Sequence, residues 1–143
     1  MRITSCEAIV TCPGRNFVIV KIATDQGIVG WGDSTLNGRE LAVATTINEH
    51  LAPLLAGEDP LRIEHLWQSI HVGSYWRGGA VLNSALSGID MALWDILGKT
   101  AGMPVYQLLG GRVRDGALAY THTGGGTPEL VAEAVRGKLA QGY

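Results

Sequence analysis

The stretch that decides the fold reads GIDMALWDILGKTAGMPVYQLLGG and runs from Gly88 to Gly111. Its first half places apolar residues at intervals of three and four, which predicts the second part of a long helix over 79–99. Gly102-Met103-Pro104 ends this helix, because glycine suits the helix cap and proline cannot continue the helix. A short helix over Val105–Leu109 follows, and Gly110-Gly111 closes it.

The long helix is predicted to bury one face. Small residues on that face, Ala85, Gly88 and Ala92, would let another element lie close to the helix. The predicted buried stripe consists of Leu82, Ala85, Leu86, Ile89, Leu93, Ile96 and Leu97.

The residues at the start of the chain have the composition of β-strands. Strands are predicted over Ile3–Val10, Phe17–Ile22 and Ile28–Gly32, separated by turns at Pro13–Asn16 and Thr24–Gly27. The glycines of the third strand indicate a bulge or a close approach of another backbone. We therefore expect a three-stranded antiparallel meander.

Helical periodicity replaces the strand pattern after Asn37-Gly38. The first helix is predicted to end before Gly57–Pro60, and a second to run over Leu61–Val72. Apolar residues at helical spacing in the first are Leu41, Ala44, Ile47, Leu51, Leu54 and Leu55. Strands followed by helices are typical of an α+β domain, which is the predicted fold class.

The last thirty residues or so indicate a different architecture. The uncharged run Gly116–His122 predicts a strand of the kind buried in a parallel sheet. Thr127 is a plausible N-cap with Pro128 at the first helical position, so a helix follows the strand. This βα unit predicts the beginning of a barrel, and the expected domains are 1–112 and 113–143.

Composition excludes several classes of function. The net charge is −2 and no basic stripe is present, so we expect no nucleic-acid partner and no anionic membrane surface. No uncharged apolar run approaches the roughly 18 residues of a membrane span, and no secretory leader is recognisable. Cys6 and Cys12 lack CxxC spacing, which favours two reduced thiols and a cytoplasmic protein.

His122 is a candidate site residue because of its position. It ends the predicted barrel strand, and the carboxyl ends of barrel strands face the active site. A histidine that is hydrogen-bonded at a strand end would occupy the same position, and position alone favours neither alternative. The glycines at 124–126 lack a phosphate-binding pattern and predict a plain turn.

The remaining polar candidates have weaker patterns. His50, His65 and His71 lack the spacing of metal ligands, so surface or packing roles are expected. Asp90 and Asp95 diverge around the long helix, which favours capping, hydrogen-bonding or interface roles over a catalytic pair. Two segments leave alternatives open. Asn37 is either part of a turn or an exposed amide that reaches a polyol, and Tyr75–Gly79 forms either an interface patch or a pocket wall.

Nearly the whole chain resembles the enolase superfamily, in the branch of mandelate racemase and muconate lactonizing enzyme. The block from Asp90 to Gly111 carries the resemblance to the branch, and Tyr75–Gly79 also belongs to the match. The segments TCPGRN at Thr11–Asn16 and GDSTLNGRE at Gly32–Glu40 are narrower and resemble the D-mannonate dehydratases.

The resemblance implies that an N-terminal capping domain precedes a (β/α) barrel and supplies contacts to an acid sugar. It aligns Asn37 and His122 with substrate-binding groups and gives the loop near Pro13–Asn16 a role in closing the site. It places the acidic Mg²⁺ ligands and the acid and base groups on barrel strands beyond Tyr143. We therefore expect no catalytic residue and no metal ligand in this chain, and a homo-oligomer.

The activity implied by the resemblance is the loss of water from D-mannonate to give 2-keto-3-deoxy-D-gluconate. A base removes the proton next to the carboxylate, Mg²⁺ stabilises the resulting enediolate, and an acid assists departure of the 3-hydroxyl. D-gluconate or another acid sugar is the alternative substrate. A non-catalytic capping-domain remnant that acts through protein contacts is the alternative from a different class.

Overall fold

A computed structural model describes all residues from 1 to 143, and the chain separates into two compact units, Met1–Gly111 and Arg112–Tyr143. The first unit begins with a three-stranded antiparallel sheet in the order β1-β2-β3. Its strands are β1 (Ile3–Thr11), β2 (Phe17–Thr24) and β3 (Val29–Asp33). The predicted meander is therefore confirmed.

The central strand β2 buries every second side chain, as an antiparallel sheet with one covered face requires. Its buried residues are Val18, Val20, Ile22 and Thr24. Thr24 also fixes the β2–β3 turn, because its Oγ1 donates to the carbonyl of Ile28 at 2.8 Å and accepts from the amide of Ile28 at 3.1 Å.

Helices cover the buried face of the sheet. After β3 they are α1 (Glu40–Thr45), a π-helical segment (Thr46–Leu51), α2 (Ala52–Leu55), α3 (Ile63–His71), α4 (Ala80–Ala101) and α5 (Val105–Leu108). This order of strands followed by helices confirms the α+β class.

The π-helical segment was not predicted. It ends two residues before Pro53, which has no amide hydrogen to donate to the carbonyl four residues back and whose ring crowds that carbonyl. A wider turn relieves that conflict and shifts the faces of the helix. Leu41 and Leu54, two of the apolar residues at helical spacing, are 74% and 58% exposed.

The close approach that the small residues of α4 predicted is confirmed. Strand β3 crosses α4 so closely that a Cβ atom at Gly30 would meet the carbonyl oxygen of Ala92, and one at Gly32 would meet that of Gly88. Leu82 was expected in the buried stripe but is exposed, because it lies more than a turn before the part of α4 that β3 covers.

Helix α4 is also long and apolar enough to span a membrane by length and composition, with a mean hydropathy of 1.2. In the first unit its apolar side chains form the core. The buried ones are Ala85, Leu86, Ile89, Ala92, Leu93 and Ile96. Packing against the sheet therefore accounts for the composition of this helix.

The second unit contains one helix, α6 (Pro128–Ala140), with Thr127 as its N-cap, as predicted. The Oγ1 atom of Thr127 accepts a hydrogen bond from the amide of Leu130. The strand expected over Gly116–His122 is absent. A strand needs a hydrogen-bonded neighbour, and the only sheet is β1-β2-β3. Leu118 and Tyr120, expected inside a barrel, are 95% and 82% exposed.

Candidate functional site

Asn37 lies in a tight turn formed by residues Leu36–Arg39, which we call the Asn37 turn. The amide of Arg39 donates to the carbonyl of Leu36 at 3.0 Å, which closes the turn. Gly38 follows Asn37 with a φ of 75°, a conformation that side chains disfavour and glycine adopts freely. The Asn37 side chain is exposed beside this fixed backbone.

The residues that lead into the Asn37 turn are held against β2. The amide of Ser34 donates to the carbonyl of Val18 at 2.8 Å, and the amide of Val18 donates to Thr35 Oγ1 at 3.0 Å. Asp33 Oδ1 accepts bonds from the amide and the hydroxyl of Thr35. The turn therefore begins at a point that the sheet fixes.

On its other side, the Asn37 turn is bonded to Glu40. The Oε1 atom of Glu40 accepts from the amide of Gly38 at 3.0 Å and from Nδ2 of Asn16 at 3.2 Å. The backbone amides of Glu40 itself and of Gly38, the Asn16 amide and the charge of Arg39 together lower the pKa of the Glu40 carboxyl. The Asn37 side chain takes part in none of these bonds and stays available to a ligand.

Asn16 belongs to the β1–β2 loop (residues 12–16), which is exposed along its whole length. The pair Thr11 and Phe17 closes the ladder at the base of this loop. The guanidinium of Arg15 lies 5.0 Å from the centre of the Phe17 ring, a cation–π distance. One exposed polar surface of the first unit thus carries the β1–β2 loop and the Asn37 turn.

His122 lies in the second unit, in a segment without regular secondary structure before α6. Its side chain is exposed, and its ring meets that of Tyr120 edge-on at a centroid distance of 5.3 Å. The two predicted substrate-binding residues therefore belong to different units, Asn37 to the first and His122 to the second.

Metal-binding chemistry has no candidate cluster in this chain. No three side chains of the types His, Cys, Asp and Glu lie together in a way that would hold an ion. His71 packs against Trp67 at a centroid distance of 4.6 Å, and His50 and His65 are at the surface. These residues therefore do not fit a Mg²⁺ site, and none is assigned to one.

Residues 4–110 match the N-terminal domain of the mandelate racemase / muconate lactonizing enzyme family. The chain belongs to this family. Its first unit, with a three-stranded antiparallel sheet covered by helices, is the capping domain of the enolase superfamily.

Relatives extend the match over the whole chain. A D-mannonate dehydratase of Novosphingobium aromaticivorans is 55% identical over 143 residues, which is 100% of this chain and 36% of the relative. A D-galactonate dehydratase family member of Streptomyces bingchenggensis is 55% identical over 141 residues, 99% of this chain and 34% of the relative. The chain thus spans about a third of the length of these relatives.

A solved structure also matches nearly the whole chain. An enolase from Pantoea ananatis, with bound D-gluconate and Mg, superimposes with a TM-score of 0.92 and 52% sequence identity. The match covers 99% of this chain and 35% of that structure.

Within the capping domain, Asp95 has the hydrogen-bonding role that the helical spacing favoured. Its Oδ2 atom accepts from the amide of Trp31 at 2.9 Å and from Lys99 Nζ at 2.7 Å. Lys99 also donates to the carbonyl of Val29 at 2.6 Å, so the pair fastens β3 to α4. Burial, with the negative charge of Glu64, raises the pKa of the Asp90 carboxyl.

The loop Tyr75–Gly79 of the capping domain exposes two aromatic rings. Tyr75 and Trp76 meet edge-on at a centroid distance of 5.2 Å, and both are largely exposed. Trp76 and Arg77 also line a cavity of about 50 Å³, too small for a sugar acid but large enough for one or two water molecules. The cavity offers no substrate site.

Both cysteines of the chain are free thiols. Burial, with the neighbouring charge of Glu7, raises the pKa of Cys6 to about 12, which keeps it protonated and unreactive. Cys12 is exposed in the β1–β2 loop.

Sequence reasoning assigned no role to Glu40, although it lies in the segment that resembles the dehydratases. The sequence pattern that could have indicated its role is a glutamate two residues after an Asn-Gly turn, at the first position of a helix. Acidic residues in a first helical turn are common, so this pattern did not indicate the bond to Asn16.

Proposed function

We propose that the chain is the N-terminal part of a Mg²⁺-dependent acid-sugar dehydratase whose substrate is D-mannonate. The observation that carries the proposal is 55% identity, over all 143 residues, to a protein named D-mannonate dehydratase. The reaction would be loss of water to give 2-keto-3-deoxy-D-gluconate.

In this proposal, the chain's own residues bind and orient the substrate. The exposed amide of Asn37 both donates and accepts hydrogen bonds, which suits a ligand rich in hydroxyl groups. The imidazole of His122 would contact a hydroxyl or the carboxylate. Proton transfer and metal binding would belong to residues outside these 143, because no cluster here fits the ion.

D-gluconate is the second candidate substrate. The Pantoea ananatis enolase that matches this chain at 52% identity has D-gluconate and Mg bound. Two acid sugars that differ in the configuration of one hydroxyl are distinguished by the polar groups that meet that hydroxyl.

A chimera tests the proposal. Residues 1–143 are joined to the remaining residues of the Novosphingobium aromaticivorans relative, which matches the chain over its full length. The chimera and the parent relative are assayed with Mg²⁺ and either D-mannonate or D-gluconate. We expect kcat/KM for D-mannonate to exceed that for D-gluconate by roughly tenfold or more.

A preference shifted toward D-gluconate relative to that of the parent relative, which shares the rest of the chimera, would favour the second substrate. A chimera that melts like the parent relative and turns over neither acid sugar would contradict the proposal and favour a non-catalytic capping domain.

We also infer that the full protein is a cytoplasmic homo-oligomer. The free thiols support a reducing compartment. Exposed apolar side chains on the face formed by β3, α4 and α5 support self-association. They are Trp31, Met91 and Leu109. Light scattering of the chimera would give its oligomeric state, and a monomer would contradict this inference.

A further inference from the structure

The carboxylate of Glu40 joins two separate segments of the capping domain. Its Oε1 atom accepts one bond from Gly38, inside the Asn37 turn, and another from Asn16, in the β1–β2 loop. The two donors, Asn16 and Gly38, are 22 residues apart in the sequence. One oxygen atom therefore connects the loop to the turn.

The Asn37 turn is held on both sides, and the bond to Glu40 is one of the two constraints. The backbone before Asn37 is fixed to β2 through Ser34 and Thr35. The backbone after it is held by the Glu40 bond to Gly38. Loss of the carboxylate would release the second of these constraints and leave the first in place.

A glutamate whose bonds merely satisfied its own helix end would not reach another loop. The bond from Asn16 at 3.2 Å comes from the other side of the exposed polar surface, from the segment TCPGRN at Thr11–Asn16. The bonded side chains of Asn16 and Glu40, and the Asn37 side chain of the adjoining turn, are polar and solvent-accessible to differing degrees. Together they have the character of a ligand-facing surface and not of a core contact.

We propose that Glu40 is a positioning residue of the substrate site, which joins the β1–β2 loop to the turn that presents Asn37. This inference rests on the proposed function, because Asn37 must meet the acid sugar. Glu40 acts through its neighbours and does not touch the substrate.

The first arm of the test measures the connection in the 143-residue chain itself. Amide spectra are compared for the wild type, Glu40→Ala, Glu40→Gln and the control Glu49→Ala, which changes an exposed glutamate of the π-helical segment. In Glu40→Ala we expect the signals of the Gly38 amide and the Asn16 side-chain amide to shift and to exchange faster with solvent. Glu40→Gln keeps an acceptor oxygen, so we expect its Gly38 and Asn16 signals to stay closer to those of the wild type. Glu49→Ala should leave both signals in place.

The second arm measures the consequence in the chimera. Misplacement of a substrate contact lowers efficiency, so we expect Glu40→Ala to reduce kcat/KM for D-mannonate by roughly tenfold, mainly through KM. Glu40→Gln recovers part of the loss, and the melting temperature of Glu40→Ala stays close to that of Glu49→Ala. If Glu40 were purely structural, Glu40→Ala would lower the melting temperature and leave KM unchanged.

The outcomes separate this inference from the proposed function. Unchanged Gly38 and Asn16 signals in Glu40→Ala overturn the connection. Changed signals with a KM equal to that of Glu49→Ala overturn the positioning role while the proposed function stands. A folded wild-type chimera without turnover overturns the proposed function, and the positioning role with it.

Discussion

At the scale of single residues, the conformation of the Asn37 turn depends on the residues on either side of Asn37. Gly38 adopts a φ of 75°, Thr35 holds the incoming chain to β2, and Glu40 bonds to the outgoing turn. A side chain on a turn that is fixed at both ends loses less conformational freedom when it binds a ligand.

The carboxyl of Glu40 gives a prediction about pH. Because its pKa is lowered, the charged form and its two hydrogen bonds persist as the pH falls through the ordinary range of a glutamate. They are lost only as the pH passes the lower value. We expect the Gly38 amide shift to titrate with a midpoint below that of an ordinary glutamate, and the titration to vanish in Glu40→Gln. A midpoint at the ordinary value would show that the bonds are not formed in solution.

His122 gives a second prediction at this scale. In the chimera, His122→Ala should lower turnover far more than stability, because its exposed ring contributes little to packing. Loss of one good polar contact costs about 1–3 kcal/mol, which is roughly fivefold to a hundredfold or more in kcat/KM. Asn37→Ala should have the same effect more mildly. A large fall in melting temperature with unchanged kcat/KM would instead assign His122 a structural role.

At the scale of elements, the contact between β3 and α4 determines the stability of the capping domain. A methyl group at Gly32 would meet the carbonyl of Gly88, which is backbone and cannot rotate away. We expect Gly32→Ala to lower the free energy of unfolding by about 2 kcal/mol or more, as overpacking does. Urea denaturation measures the change.

A control for Gly32→Ala is Gly137→Ala in α6, which makes the same chemical change in the second unit, away from the contact between β3 and α4. A Cβ atom at Gly137 meets nothing within 4 Å, so no loss is expected there. Equal stability of Gly32→Ala and the wild type would show that β3 and α4 lie further apart than described.

The second unit should be the least stable part of the isolated chain. Its one helix has no buried residue, and a lone helix of 13 residues is marginal in water. We expect amides from about Asp115 onward to exchange hydrogen quickly, and those of β2 and α4 slowly. Slow exchange after Asp115 in a dilute monomer would contradict this.

Most elements could be predicted from the sequence because local patterns determine them. The alternation in β2 and the apolar repeat of α4 both require a covered face. The π-helical segment could not be predicted, because Pro53 changes the backbone within an otherwise regular repeat. The predicted strand at 116–122 is absent, because no strand of this chain pairs with it and the one sheet is β1-β2-β3. The bond between Asn16 and Glu40 joins distant residues and leaves no local pattern.

At the scale of the whole molecule, we propose that the capping domain and the rest of the protein perform separate parts of the dehydratase reaction. In that proposal the capping domain would contribute substrate contacts, and the groups that perform the reaction would lie outside these 143 residues. The family match over residues 4–110 and the coverage of 36% of a relative's length support this division.

The most direct test measures the formation of the 2-keto product from D-mannonate with Mg²⁺, by the chain alone and by the chimera under identical conditions. We predict no product above the blank from the chain alone, because it holds no cluster that could bind the metal. We predict turnover by the chimera. Turnover by the chain alone, or none by a chimera that melts like the parent relative, would contradict the account.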